Sequence, residues 1–186
     1  MRHAFRRLSA LVVIVMACAA TAGAQHPGAS GSSEHVIKAG YIYNFAKLVE
    51  WPALPVRKGQ PIVIGVLGNE AFATVLRRVV EGKKIDDRPF HVRSLKHKEL
   101  KDCGCQILFV AASQNSRADE IIQFQNTASV LTIAETADFA RRGGIIALIL
   151  EDSKVRFMVN VDAANEAALT VSSRLLALAT IVHTSR

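Results

Sequence analysis

A chain of 186 residues, half of them hydrophobic and 21% charged, is long and apolar enough to bury a sizeable core, which excludes a disordered polymer. Its formal charge of +7 is basic, but no dense Lys/Arg stripe interleaved with aromatics runs through it, which argues against a nucleic-acid binder. The densest basic run, Arg93 to Lys101 (RSLKHKELK), holds no aromatic and reads as a solvated edge and loop.

The first residues carry the three parts of a cleavable secretory signal. Arg2, Arg6 and Arg7 come without an acid, Leu8 to Ala20 is apolar apart from Ser9, and small residues end in Ala22-Gly23-Ala24. The apolar run is shorter than the roughly 20 residues a permanent membrane helix needs, so residues 1–24 are expected to be removed. A lipobox ending at Cys18 fits less well, because Met16 is unusual there and a better site lies just beyond. Cleavage takes three arginines away and leaves 162 residues with 20 Lys+Arg against 16 Asp+Glu, about +4. The expected product is one domain, working outside the cytoplasm and not inserted in the membrane.

Residues 25–33 (QHPGASGSS) read as a flexible polar leader, and the domain is expected over 34–186. From Glu34, apolar residues at helical spacing predict a helix that ends near Trp51-Pro52, where proline disfavours the α region. After a polar loop, Pro55 to Pro61, the run Ile62 to Leu67 reads as a strand buried on both faces. Asn69 is a candidate N-cap for a helix carrying Phe72, Val75, Leu76, Val79 and Val80. Phe90 to Leu95 alternates as a half-exposed edge strand does, and Gln106 to Ala111 reads as a second buried strand. A helix with Ile121, Ile122 and Phe124 follows the polar turn Ser113 to Ser116, then a strand, Ser129 to Ile133, and a short helix ending at Gly143-Gly144. Ile145 to Leu150 and Val155 to Val159 flank Glu151-Asp152-Ser153-Lys154 as a hairpin, and a closing helix is expected from about Asp162 to Val182. Alternating strands and helices imply a three-layer α/β domain, with a mainly parallel sheet of five or six strands and helices on both faces.

Motifs for catalysis are absent: no G-x-S-x-G, P-loop, G-x-G-x-x-G or H-E-x-x-H. His26, His35, His91, His97 and His183 lack metal-ligand spacing, and Asp86-Asp87 adjoins Lys83, Lys84 and Arg88 as a charged turn. No enzyme activity, metal or cofactor is expected. Cys103 and Cys105 have a spacing near the limit for a disulfide, so they either close one across Gly104 or stay as thiols.

Binding is better supported. In open α/β sheets, ligands sit beyond the carboxyl ends of the strands. Small polar residues fall at three such ends, making Asn69, Ser113, Asn115, Ser116 and Thr136 candidate ligand-binding residues, with plain N-capping as the other reading. Tyr41, Tyr43, Phe45 and Trp51 crowd into eleven residues and cannot all face one way on a helix. Tyr41, Phe45 and Leu48 share the face expected to enter the core, which leaves Tyr43 and Trp51 as candidate partner contacts. Arg174, beside Ser172 and Ser173 on the apolar face of the closing helix, is expected to pair with a carboxylate or strand-end carbonyls, with an exposed arginine as the other reading.

The order of segments resembles the YfiR family of exported bacterial regulators. The resemblance rests on Lys38 to Pro52 (KAGYIYNFAKLVEWP), Ile64 to Phe72, Cys105 to Ala111, Val130 to Thr132, Phe139 with Gly143-Gly144-Ile145, and Phe157 to Ala179, a segment with Asn160 and Ser173-Arg174-Leu175-Leu176. Asn160 and Arg174 are expected to be structural residues. The resemblance implies a periplasmic protein, a fold like one lobe of a periplasmic binding protein, and homodimers. It also implies binding to the periplasmic region of an inner-membrane sensor, which represses a diguanylate cyclase and so lowers cyclic di-GMP and biofilm formation. The other expectation is a small-ligand-binding module signalling to a membrane receptor such as a histidine kinase. The best-known member has four bridge-forming cysteines where this mature chain has two, so redox control by the same bridges does not carry over. Mass spectrometry of the exported protein should find Gln25 as the first residue; an intact Met1, or a lipid on Cys18, would contradict the signal reading.

Overall fold

Strands that must bury both faces read as near-continuous apolar runs, and strands of this kind form the centre of this protein. The computed structural model describes residues 28–51 and 59–185, with side chains from Ser33 onward. The signal segment, Cys18, the beginning of the leader and most of the loop from Pro55 lie outside the described residues.

The first helix, α1 (Gly28–Leu48), starts ahead of Glu34, so GASGSS is helical rather than part of a loose leader. It ends at Leu48, and Val49–Glu50 is extended as β1. There follow β2 (Ile62–Leu67), α2 (Glu70–Val80), β3 (Lys84–Ile85), β4 (Arg88–Leu95), β5 (Ile107–Val110), α3 (Ala118–Ala128), β6 (Leu131–Ala134), α4 (Ala137–Arg141), β7 (Ile146–Glu151) and β8 (Lys154–Asn160). Asn69 Oδ1 accepts from the Phe72 amide at 2.9 Å and so caps α2, as its position in the sequence suggests. The β7–β8 hairpin turns on Asp152 and Ser153, both at positive φ (48° and 59°), the backbone of a tight two-residue turn.

Among the described residues the main sheet has eight strands in the order β10-β8-β7-β6-β5-β2-β4-β3, where β10 is Thr180–Val182. Neighbours from β7 through β4 pair in parallel, β8 is antiparallel to β7, and β3 is antiparallel to β4. The sheet exceeds the five or six strands expected because two short edge segments, β3 and β10, carry too little pattern to read. Layering follows from alternation along the strands. Ile107 and Phe109 face one core with α1 and α2, whereas Leu108 and Val110 face a second with Ala118 and Ile121 of α3.

The closing helix does not exist as one element. Val161–Glu166 forms α5, Thr170–Val171 forms β9, Ser173–Leu176 forms α6, and β10 follows. Ala168 adopts φ +56° and breaks the helix, and Val171 then pairs with Val49 while the Ser172 amide bonds the Leu48 carbonyl at 2.9 Å. A β-branched pair followed by two serines has a sheet partner here, and that tertiary pairing overrides the helical spacing of its apolar residues. Arg174 is consequently exposed on a four-residue helix, and among the described residues its side chain has no ion pair or hydrogen bond. The expected buried pairing fails because the apolar helix face it required is absent.

Two buried polar groups tie these elements together. Asn160 is fully buried; its Nδ2 donates to the Ala140 carbonyl (2.7 Å) and to Thr184 Oγ1 (3.0 Å), and its Oδ1 accepts from the Ala163 amide (3.0 Å). Gln125 in α3 donates to the Gly143 carbonyl at 3.0 Å and accepts from Thr132 Oγ1, whose oxygen accepts from the Ile145 amide. Packing is as demanding as hydrogen bonding: a Cβ on Gly144 would sit 2.0 Å from two ring carbons of Phe139, whereas one on Gly40 would meet nothing within 4 Å. Gly144→Ala should therefore lower stability by about 1–3 kcal/mol or more, and Gly40→Ala, inside α1, should raise it by about 0.5–1 kcal/mol. Urea midpoints with an unchanged slope decide the matter; equal midpoints for the two variants would contradict this packing.

Candidate functional site

The chain passes from β2 to β4 on one side and then returns to β5 on the other side of β2, so the carboxyl ends of β2 and β5 form the switch point where folds of this class offer a crevice. Here the crevice is filled. Gly68, at φ +86°, brings the backbone so close to the residues after β5 that a Cβ would lie 2.8 Å from Gln114 Cγ and 3.1 Å from Ser113 Oγ. Asn69 is occupied by capping α2.

One strand along, Asn115 and Thr136 are brought together. Thr136 Oγ1 donates to Asn115 Oδ1 at 2.8 Å, and Asn115 Nδ2 donates to Asp138 at 3.2 Å. Arg142 closes the group with bonds to the Asn115 carbonyl (3.4 Å), Asp138 (3.5 Å) and Asp119 (2.6 Å). Asp119 in particular holds the guanidinium above its usual pKa. Ser113 and Ser116 are exposed on a short 3₁₀ helix over Ala112–Arg117. Of the five candidates, then, two bond each other, one caps a helix, one packs on Gly68 and Ser116 stands apart.

Sequence reading did not single out the residue that dominates this edge. Lys38 is 4% exposed, and its Nζ lies 2.5 Å from Glu34 Oε1 and 2.6 Å from Glu135 Oε1. Glu135 Oε2 accepts from the Ala112 amide at 3.1 Å, so one carboxylate joins α1, the end of β6 and the turn after β5. The signal was faint: a lysine amid Val36, Ile37 and Ala39, with a glutamate four residues before it. Burial lowers the Lys38 pKa, but hydrogen bonds and charge from Glu135 and Glu34 outweigh it, and the group is held above the usual lysine value.

The expected partner contacts lie at the other end of α1. Tyr43 is half-buried, edge-on to Phe90 with centroids 5.8 Å apart, and the ammonium groups of Lys83 and Lys47 sit 5.3 and 5.5 Å from its ring. Trp51 is half-buried, and among the described residues its buried Nε1 has no hydrogen-bond partner. Tyr41, expected inside, is only half-buried; it joins Phe45 and Phe157 in an aromatic group with centroids 5.1–5.8 Å apart. Phe45 is fully buried as expected and Leu48 is half-buried, and Phe45 shares the fully buried face of α1 with Ala39 and Ile42. Cys103 and Cys105 are bonded across Gly104, with Cα atoms 5.2 Å apart. Among the described residues, no three His, Cys, Asp or Glu side chains are grouped to hold a metal, and no helix is long and apolar enough to cross a membrane.

An α/β domain of this layout matches a known family. The YfiR/HmsC-like family model covers residues 35–180, and the chain belongs to that family. No curated protein matches the chain. Among solved structures it is similar to a conserved domain protein from Vibrio cholerae O1 biovar El Tor (13% identity, 79% of this chain and 59% of that one, TM-score 0.56). Weaker likenesses are to an ABC domain in complex with L-Trp from Streptococcus pneumoniae (9%, 64% and 55%, TM-score 0.49) and to a ligand-free substrate binding protein with adhesive properties from Clostridium difficile (12%, 66% and 55%, TM-score 0.47). The chain thus spans 55–59% of the length of these proteins. At such identities the first likeness shows the shared α/β fold alone.

Removing one partner of a buried ion pair strands the other. Lys38→Ala should cost about 3–5 kcal/mol. Because the folded-state pKa of Lys38 is raised, its contribution is fully present below the unfolded lysine value of 10.5 and is lost as pH rises through the folded value. Denaturation at a series of pH values should show stability falling above about pH 10.5 in the wild type, and less steeply in Lys38→Met. Parallel curves would contradict the pairing.

Proposed function

We propose that this protein is a non-enzymatic periplasmic regulator that binds the periplasmic region of an inner-membrane diguanylate cyclase and holds it inactive. The observation that carries the reading is that the polar side chains at the carboxyl edge are engaged within the chain, above all Glu135 by Lys38 and Asn115 by Thr136. A small-ligand module signalling to a histidine kinase would need those groups turned toward its ligand. Instead the edge is closed, and half-buried aromatics, Tyr43 and Trp51, lie at the far end of α1. Such rings suit a protein contact, since they bury large area at low entropic cost. Family membership supports the regulatory role and the class of partner. The exported destination rests on the signal-like N-terminus.

Deleting the gene should raise cellular cyclic di-GMP severalfold, and the tagged protein should co-purify with a membrane-bound diguanylate cyclase in mild detergent. Trp51→Ala combined with Tyr43→Phe, which keeps the packing on Phe90, should weaken that capture about tenfold, or about 1.4 kcal/mol, with cooperative unfolding retained. Unchanged cyclic di-GMP on deletion would refute the regulatory reading. Normal capture by the folded variant would remove these two residues from the interface.

A further inference from the structure

Beside Tyr43, and away from the carboxyl edge, a groove of about 500 Å³ lies between the end of α2, the turn into β3 and the first half of β4. Arg77, Arg78, Lys83 and Lys84 line it against a single carboxylate, Glu81. Part of this charge is engaged: Arg77 reaches Glu70 at 3.4 Å and the Val92 carbonyl, and Lys83 donates to the Val79 carbonyl at the end of α2. Arg78 and Lys84 are exposed and have no ion pair among the described residues. The carboxylates of the β3–β4 turn, Asp86 and Asp87, are not part of the lining. Four cations around one concavity repel one another, and an anion seated there relieves the repulsion.

Two further features define the occupant. Among the described residues β3 pairs with β4 only through Lys84↔Pro89 and Ile85↔Arg88 and is the last strand of the sheet, and from Phe90 onward no described strand neighbours β4 on that side. Such an edge accepts an extended chain by main-chain hydrogen bonding. Phe90, a wall of the groove, is the ring on which Tyr43 packs, and Lys83 lies over the same tyrosine, so the groove is continuous with the proposed partner contact. A membrane surface fits poorly. Membrane-docking faces combine cations with projecting apolar side chains, and the exposed large apolar residues here, such as Val36, Leu150 and Leu178, are not among the groove's walls.

We infer that this groove receives an extended acidic segment of the protein partner, its backbone along the free edge of β4 and its carboxylates on Arg78 and Lys84. The inference rests on the proposed function for the partner's identity, and the acidic-peptide measurement tests it separately. A fluorescein-labelled hexaglutamate peptide should bind the full-length protein by anisotropy, a hexaglutamine peptide should not, and 0.5 M salt should weaken binding at least tenfold. Arg78→Glu with Lys84→Glu should abolish binding, Arg78→Gln with Lys84→Gln should weaken it about tenfold, and both should unfold at the wild-type temperature. Peptide binding indifferent to these changes overturns the inference. So does displacement by submillimolar inorganic phosphate, which marks a small-anion site, or equally charge-dependent binding to phosphatidylglycerol vesicles, which marks a membrane surface. In membrane extracts, wild-type capture of a cyclase that the double glutamate variant matches refutes the groove but leaves the proposed function standing. No capture by the wild type refutes the function, while the peptide result still decides the groove.

Discussion

A buried ammonium group sets the geometry of the sheet's carboxyl edge. Taking Lys38 out of water is costly, and the cost is offset only because two carboxylates meet it, one from a turn earlier in the same helix and one from the end of β6. Since Glu135 also accepts the Ala112 amide, α1 cannot lift from the sheet without stranding the charge of a carboxylate that also holds the turn after β5. Further along, Phe45 and Tyr41 hold the same helix against Phe157 of β8. One polar and one aromatic anchor thus fix α1 across the sheet, while at the switch point the residues after β5 pack against Gly68.

What was legible in the sequence follows from how local each cause is. Ile62–Leu67 and the strand within Gln106–Ala111 were readable because burial on both faces demands an unbroken apolar run, a signature confined to the strand itself. The Asn69 cap was readable for the same reason: donor and acceptor are three residues apart. The segment after Asn160 misled because its conformation is decided elsewhere, by the pairing of Val171 with Val49 over a hundred residues away. Lys38 escaped notice because its main partner, Glu135, is 97 residues distant, and nothing in a single sequence links them. The candidate ligand residues were correctly placed at strand ends, yet spacing does not reveal whether such groups face a ligand or one another. Asn115 and Thr136 bond each other only because parallel register sets Val110 beside Ala134.

The two margins of the sheet differ in a way that bears on association. At one margin β10 is short and apolar, with Ile181 exposed. At the other, β3 is only two residues long, starts with a lysine and leaves most of β4 uncovered. Unpaired edges invite pairing with any extended chain, and lysine at an edge is a common deterrent. A deterrent made of charge is selective, however. Two copies meeting at the β4 margin would bring Arg78 and Lys84 against their own kind, whereas an acidic chain would meet attraction in the same place. Specificity is a difference between affinities, and like-charge repulsion raises it as effectively as attraction does. Cations that disfavour self-pairing at this margin would therefore also favour an acidic chain there, beside the tyrosine proposed to contact the partner.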